Sequence, residues 1–115
     1  MQPMTSSKCG DVVLVRFVFS DESGVKRRPA LVVSTDRYHK GRQEVIVAAI
    51  TSKTVRLLMG DHKLRSWKEA GLLHPSTVTG IIRTVKKEMI SSRLGAATSA
   101  DLQKVQHNMR EILGI

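Results

Sequence analysis

Lys26, Arg27 and Arg28 stand side by side immediately before Pro29, and Thr51, Ser52 and Lys53 follow an apolar run that ends at Ile50. These residue types suit chemistry on a phosphate. An arginine presents a planar fork of donors that matches two phosphate oxygens, and its charge is permanent. A threonine hydroxyl adds a further donor to the same oxygens. Together such groups stabilise the extra charge on a pentacoordinate phosphorus. When the nucleophile is the neighbouring ribose 2′-hydroxyl, neither a metal nor a protein nucleophile is required, and the substrate must be RNA rather than DNA. Spacing alone leaves two plainer readings open: an ordinary basic turn entering a strand, and a surface threonine that follows one.

The elements that must position these residues are mostly strands. Asp11 to Phe19 carries Val13, Val15, Phe17 and Phe19 on one face, and Val12, Leu14, Arg16 and Val18 on the other, the pattern of a strand. A polar stretch from Ser20 to Gly24 and the three cations then read as one long loop. Pro29 fixes its own φ and keeps Arg28 out of the α region, so the cations are held extended at the mouth of a strand over Ala30 to Val33. Thr35 to Gln43 is polar and reads as a loop. Glu44 to Ile50 is apolar on both faces, which predicts a central strand. Val55 to Met59 and His62 to Arg65 are weaker strand or loop segments. Ser66, with Glu69 three residues on, predicts one helical turn closed by Gly71. Thr77 to Val85 is β-rich with a bulge expected at Gly80, and Met89, Ile90 and Leu94 read as packing residues around a short turn ended by Gly95. The C-terminal helix has the fullest signal. Thr98 and Asp101 make its N-terminal box, Leu102, Val105, Met109 and Ile112 its apolar stripe, and Gly114 its stop.

Composition narrows the partners. Nineteen Lys and Arg against ten Asp and Glu give a formal charge of +9, which favours a polyanion. Aromatic residues are scarce (Phe17, Phe19, Tyr38 and Trp67), so charge and hydrogen bonds must carry nucleic-acid binding rather than base stacking. Cys9 is the single cysteine and reads as inert, which fits a reducing compartment. His39, His62, His74 and His107 show no metal-ligand spacing, and no phosphate-binding glycine loop is present, so neither a metal nor a cofactor is expected. No apolar run reaches the roughly 18 residues of a membrane span. The expectation is a cytoplasmic protein with a flexible polar lead over residues 1–8 and one domain over 9–115. It is mainly β with a C-terminal helix, a small twisted sheet curled into a half-open barrel.

The ordered segments Gly10-Asp11-Val12-Val13-Leu14-Val15, Lys26 to Ser34, Val47-Ala48-Ala49-Ile50-Thr51-Ser52 and Ile82-Arg83-Thr84-Val85-Lys86-Lys87, closing on Leu94-Gly95 and a helix, resemble the MazF/PemK family of bacterial toxin endoribonucleases. The resemblance implies an SH3-like half-open barrel of the MazF/PemK/CcdB type, a homodimer, and metal-independent cleavage of single-stranded mRNA that leaves a 2′,3′-cyclic phosphate and a free 5′-hydroxyl. It places the core of the active site at Arg28 and Thr51. Lys26, Arg27, Ser52, Lys53 and Arg83 are then the expected RNA contacts. It also implies an acidic antitoxin whose disordered tail lies across the RNA groove. The chain departs from the family where many members carry Gly-x-Glu-Gln before the arginine-proline pair, and at Ile81-Ile82. The proton-transfer group is therefore open. Arginine is a poor proton acceptor, so Arg28 reads as an electrostatic stabiliser, with Glu22 and His39 as candidates for moving the proton. Two rival readings stand beside it: a toxin of the same fold that binds DNA gyrase without catalysis, and a basic RNA-binding module without activity.

Overall fold

The computed structural model describes residues 7–19, 24–53 and 56–115. Six strands form one antiparallel sheet: β1 (Asp11–Phe19), β2 (Gly24–Val32), β3 (Glu44–Thr51), β4 (His62–Lys63), β5 (Thr77–Lys86) and β6 (Ile90–Ala96). Two α-helices accompany them, α1 (Asp36–His39) and α2 (Ser99–Leu113). The strand order is β4-β5-β3-β2-β1-β6, so the sheet keeps two edges and is not closed.

The sheet is packed on both faces. Val13, Val15, Ala30, Val32, Val45, Val47, Val85 and Ile90 form one buried cluster. All of them come from β1, β2, β3, β5 and β6, which means the sheet curls far enough to bury one face on itself. The other cluster joins Val12, Leu31, Ala48, Ile50 and Val78 from the sheet to Leu64, Ala70 and Val105. Here α2 and the 64–72 segment are the cover. Each fully buried valine or leucine contributes roughly 1.5–3 kcal/mol, and alternation along β1 serves both faces at once. This is the half-open barrel with a C-terminal helix that the patterning predicts. No helix among the described residues is long and apolar enough to cross a membrane.

α2 starts and stops where its residues dictate. Thr98 accepts from the Asp101 N–H, and Gly114 adopts the left-handed conformation at φ 69°. The expected bulge in β5 is also present. Ala48 pairs with Ile82 but Ile50 pairs with Val78, so residues 79–81 share the space opposite Ala49. The Thr79 hydroxyl donates to the Ala49 carbonyl at 2.8 Å in place of a ladder bond.

Three elements differ from the sequence reading. Lys26, Arg27 and Arg28 lie inside β2, paired with Phe17, Arg16 and Val15 of β1, because the long apolar β1 offers a ladder that outweighs their weak strand preference. The segment between β1 and β2 shrinks to residues 20–23, outside the described residues, and Glu22 falls there. The 35–43 stretch contains α1, capped by Thr35, whose hydroxyl accepts from the Tyr38 N–H. Ile90 to Ala96 is strand β6, not a turn, and pairs with β1. Ser66 to Leu72 is the expected single turn: Ala70 N–H reaches the Ser66 carbonyl at 3.2 Å, and Gly71 closes it at φ +86°, with Leu72 N–H on the Trp67 carbonyl at 3.1 Å.

Candidate active site

Strands β2 and β3 pair only over Ala30–Ala49, Leu31–Ala48 and Val32–Val47. Beyond Ala30 and Ala49 they part. Residues 24–29 of β2 pair with β1, and Thr51 pairs with Thr77 of β5. Antiparallel register sets Arg28 against Thr51, since each lies two positions past the last bonded pair. The two residues chosen from sequence thus occupy matching places on either side of the opening notch.

The notch is a cleft of about 580 Å³. Leu14, Pro29, Ile50, Leu72 and Leu94 make its apolar walls, while Arg27, Arg28, Thr51, Ser52, Lys53 and His74 supply the polar groups. Successive strand residues point to opposite faces. A cleft bordered by both Arg27 and Arg28 therefore lies at the edge of β2 that β3 has left. Among the described residues, no aspartate or glutamate lines it. The Thr51 hydroxyl oxygen accepts from the Lys53 N–H at 3.1 Å, which orients it and leaves its proton to donate. A phosphate drawn into this notch meets permanent positive charge and a fixed hydroxyl donor in surroundings of reduced polarity, where both act strongly.

The far wall is held by a close backbone approach. A Cβ on Gly71 would stand 2.0 Å from the Leu94 carbonyl oxygen, and one on Gly95 would stand 2.5 Å from the Ala70 carbonyl oxygen. Gly71 also has φ +86°, which side chains resist. Only glycine at both positions lets the turn press against β6 and present Leu72 and His74 to the cleft. The same turn is anchored at its start by Asp101, the first-turn carboxylate of α2, which is 1% exposed. Asp101 accepts from His62 Nε2 at 2.8 Å, from the Arg65 N–H at 3.1 Å and from the Ser66 N–H at 3.0 Å. Burial alone would raise its pKa. The bonds from His62, Arg65 and Ser66 outweigh that and hold it below the usual carboxylate range.

Of the residues expected from sequence, Arg27, Arg28, Thr51, Ser52 and Lys53 converge on the cleft. Lys26 and Arg83 do not line it. Lys26 sits opposite Phe17 in the β1–β2 ladder, and the Arg83 guanidinium lies 5.0 Å over the Phe17 ring, so the two mark a separate basic spot. His39 is buried and bonds through Nε2 to the Ser34 hydroxyl. Ser34, His39 and Asp36 follow one another as in a hydrolase triad, but Asp36 Oδ1 is 4.0 Å from Nδ1 and the Ser34 oxygen already accepts the Ile46 N–H at 2.9 Å. That arrangement is a pin between α1 and β3. Burial pushes the Cys9 thiol pKa up, which suits an inert role. His74 and Ser76 are the polar lining residues that sequence reasoning passed over. Only their place around Pro75, just before β5, hinted at an exposed turn.

The family described as the PemK-like, MazF-like toxin of type II toxin–antitoxin systems matches residues 8–113. Endoribonuclease MazF2 of Mycobacterium bovis and endoribonuclease MazF6 of Mycobacterium tuberculosis are each 29% identical over 99 residues, which span 84% of this chain and 86% of theirs. Among solved structures, a MazE–MazF complex from Deinococcus radiodurans superposes with a TM-score of 0.79 at 19% identity, covering 95% of this chain and 96% of that one. The Mycobacterium tuberculosis toxin MazF-mt6 gives 0.72 at 20% identity, covering 91% and 97%. At such identities the solved structures speak for the fold, and the match over nearly the whole length speaks for descent. The chain belongs to the PemK-like, MazF-like toxin family of type II toxin–antitoxin systems.

Proposed function

We propose that this toxin is an endoribonuclease that cuts single-stranded mRNA in the β2–β3 notch without a metal. The observation that carries the reading is the placement of Arg28 and Thr51 on facing sides of that notch, with Arg27, Ser52 and Lys53 beside them and, among the described residues, no carboxylate in the lining. In the reaction the ribose O2′ forms a bond to phosphorus as the bond to O5′ breaks. The products are a 2′,3′-cyclic phosphate and a 5′-hydroxyl, and the 2′-hydroxyl proton is lost as the 5′-oxygen gains one. Arg28 and the Thr51 hydroxyl stabilise the charge gathering on the non-bridging oxygens. Arg27 and Lys53 draw in the strand, Ser52 adds a hydroxyl contact, and Lys26 and Arg83 extend the positive surface beyond the cleft.

The partners follow from the same surfaces. A cleft this basic suits an acidic, disordered antitoxin segment that folds across it and displaces RNA. A second copy of the chain suits the apolar side chains Leu58, Met59, Ile81 and Leu113, all more than half exposed and grouped near the C-terminal end of α2, where Ile112 packs on Gly60 and Gly80. Such proteins act in the cytoplasm, where mRNA is. The test is incubation with single-stranded RNA in excess EDTA, followed by end-group analysis. Fragments ending in 2′,3′-cyclic phosphate and 5′-hydroxyl support the reading. No cleavage, or cleavage only on adding a divalent metal, overturns it.

A further inference from the structure

The reaction needs a proton acceptor, and the structure changes which residue can serve. Arginine and lysine are protonated at working pH and cannot take the 2′-hydroxyl proton. His39 is spent on Ser34 and does not line the cleft. Thr51, Ser52 and Ser76 are hydroxyls that need a base of their own. Glu22 lies outside the described residues, and among those described His74 is the one cleft-lining side chain of a type that commonly accepts a proton near neutrality. Its backbone is also held. Pro75 keeps it extended, the Ser76 hydroxyl donates to its carbonyl at 2.8 Å, and the Gly71–Leu94 contact fixes the turn that carries it.

Resting on the endoribonuclease reading, we propose that His74 is the general base of this site. A ring nitrogen of neutral His74 takes the 2′-hydroxyl proton as O2′ bonds to phosphorus. The bond to O5′ breaks, the 5′-oxygen takes a proton from water, and the imidazolium returns its own to solvent. The charged groups that share the cleft with the ring are Arg27 and Arg28 from β2 and Lys53 beyond β3.

The test is the rate of RNA cleavage between about pH 5 and 8, the window in which histidine titrates. The full chain is assayed as wild type, His74→Gln and His74→Ala. In the wild type the rate should fall as pH drops, as general-base catalysis requires. His74→Gln should lose roughly 10²- to 10⁴-fold together with that acid limb, and added imidazole should restore part of the rate in His74→Ala. His74 is exposed, so both variants should fold. An active His74→Gln with the wild-type profile overturns the assignment. So does a slower His74→Gln that keeps the acid limb, since a residue that only shapes the cleft would leave the profile in place. A wild type that cleaves no RNA overturns the endoribonuclease reading itself, and this assignment with it.

Discussion

Two polar constellations in this small barrel use similar residue types in opposite ways. At the start of α2, Asp101 is buried, and its oxygens are taken by His62, Arg65 N–H, Ser66 N–H and the Thr98 hydroxyl. At the notch, Arg27, Arg28 and Lys53 converge, and among the described residues none of them is ion-paired. The first is a joint, because every buried polar atom there is claimed by the fold. The second is the proposed site, because its charge is gathered along β2 and just past the end of β3 and left for something that arrives. The joint serves the site. By tying the 62–66 segment to α2 it fixes the turn that walls the cleft.

If this division is right, damage at the notch must cost chemistry and spare the fold. The largest effect is expected from Arg28→Ala, which should abolish RNA cleavage with an unchanged circular dichroism spectrum, since Arg28 is exposed and packs little. Arg28→Lys should also be badly impaired, because it keeps the charge and loses the fork. Full activity in Arg28→Ala would remove the notch from consideration. Thr51→Ala comes next. Its hydroxyl is proposed to bond the transition state, so the loss should appear in kcat rather than in RNA affinity, at about 2.7–4 kcal/mol for one such donor. A defect confined to binding would make Thr51 a positioning residue.

Damage at the joint must do the reverse. Asp101→Ala leaves the Arg65 and Ser66 N–H groups without their acceptor, at a cost of about 1 kcal/mol for each hydrogen bond lost. Urea unfolding should register that loss while cleavage per folded molecule stays near wild type at low temperature. The pH dependence has a definite sign. The folded pKa of Asp101 lies below its unfolded value, so its contribution is present above the unfolded value of about 3.9 and is lost as pH falls through the folded one. Between those limits wild type should lose stability with acid faster than Asp101→Asn. Parallel acid profiles would mean that the carboxylate charge contributes little to the joint.

The joint and the site were not equally legible from sequence. β1, β3 and α2 announce themselves because period-2 and period-3.6 patterns are local properties of a chain. The residues flanking the notch were visible for the same reason, as each sits at the end of an apolar run. What sequence could not supply was tertiary. β6 hides because Ser91, Ser92 and Arg93 dilute its apolar pattern, and its partner β1 lies some eighty residues earlier in the chain. α1 is a single turn, too short to show a period. Asp101 reads as half of a capping box and gives no sign that it also binds a segment 35 residues upstream. His74 reaches the cleft only because Gly71 and Gly95 let two backbones touch. Its role therefore had to wait for the packing, whereas His39, in a promising polar stretch, proved to be a pin.

The smallest expected effect separates two basic surfaces rather than a site from a joint. Lys53 lines the notch, while Arg83 stacks on Phe17 outside it. Single-stranded RNA releases counterions on binding, so log K falls against log salt by about 0.7 for each phosphate neutralised. On an uncleavable 2′-deoxy oligonucleotide just long enough to fill the notch, Lys53→Gln should flatten the slope by about that amount and Arg83→Gln should leave it alone. Lengthening the oligonucleotide stepwise should at some length bring Arg83 into the slope, and that length measures the path from the notch to the Phe17 spot. Few aromatic side chains are available to stack bases, so most of the affinity should vanish at high salt in both variants. Equal slopes for the two variants on the shortest oligonucleotide would show one continuous basic face, and the notch would then be distinguished only by its chemistry.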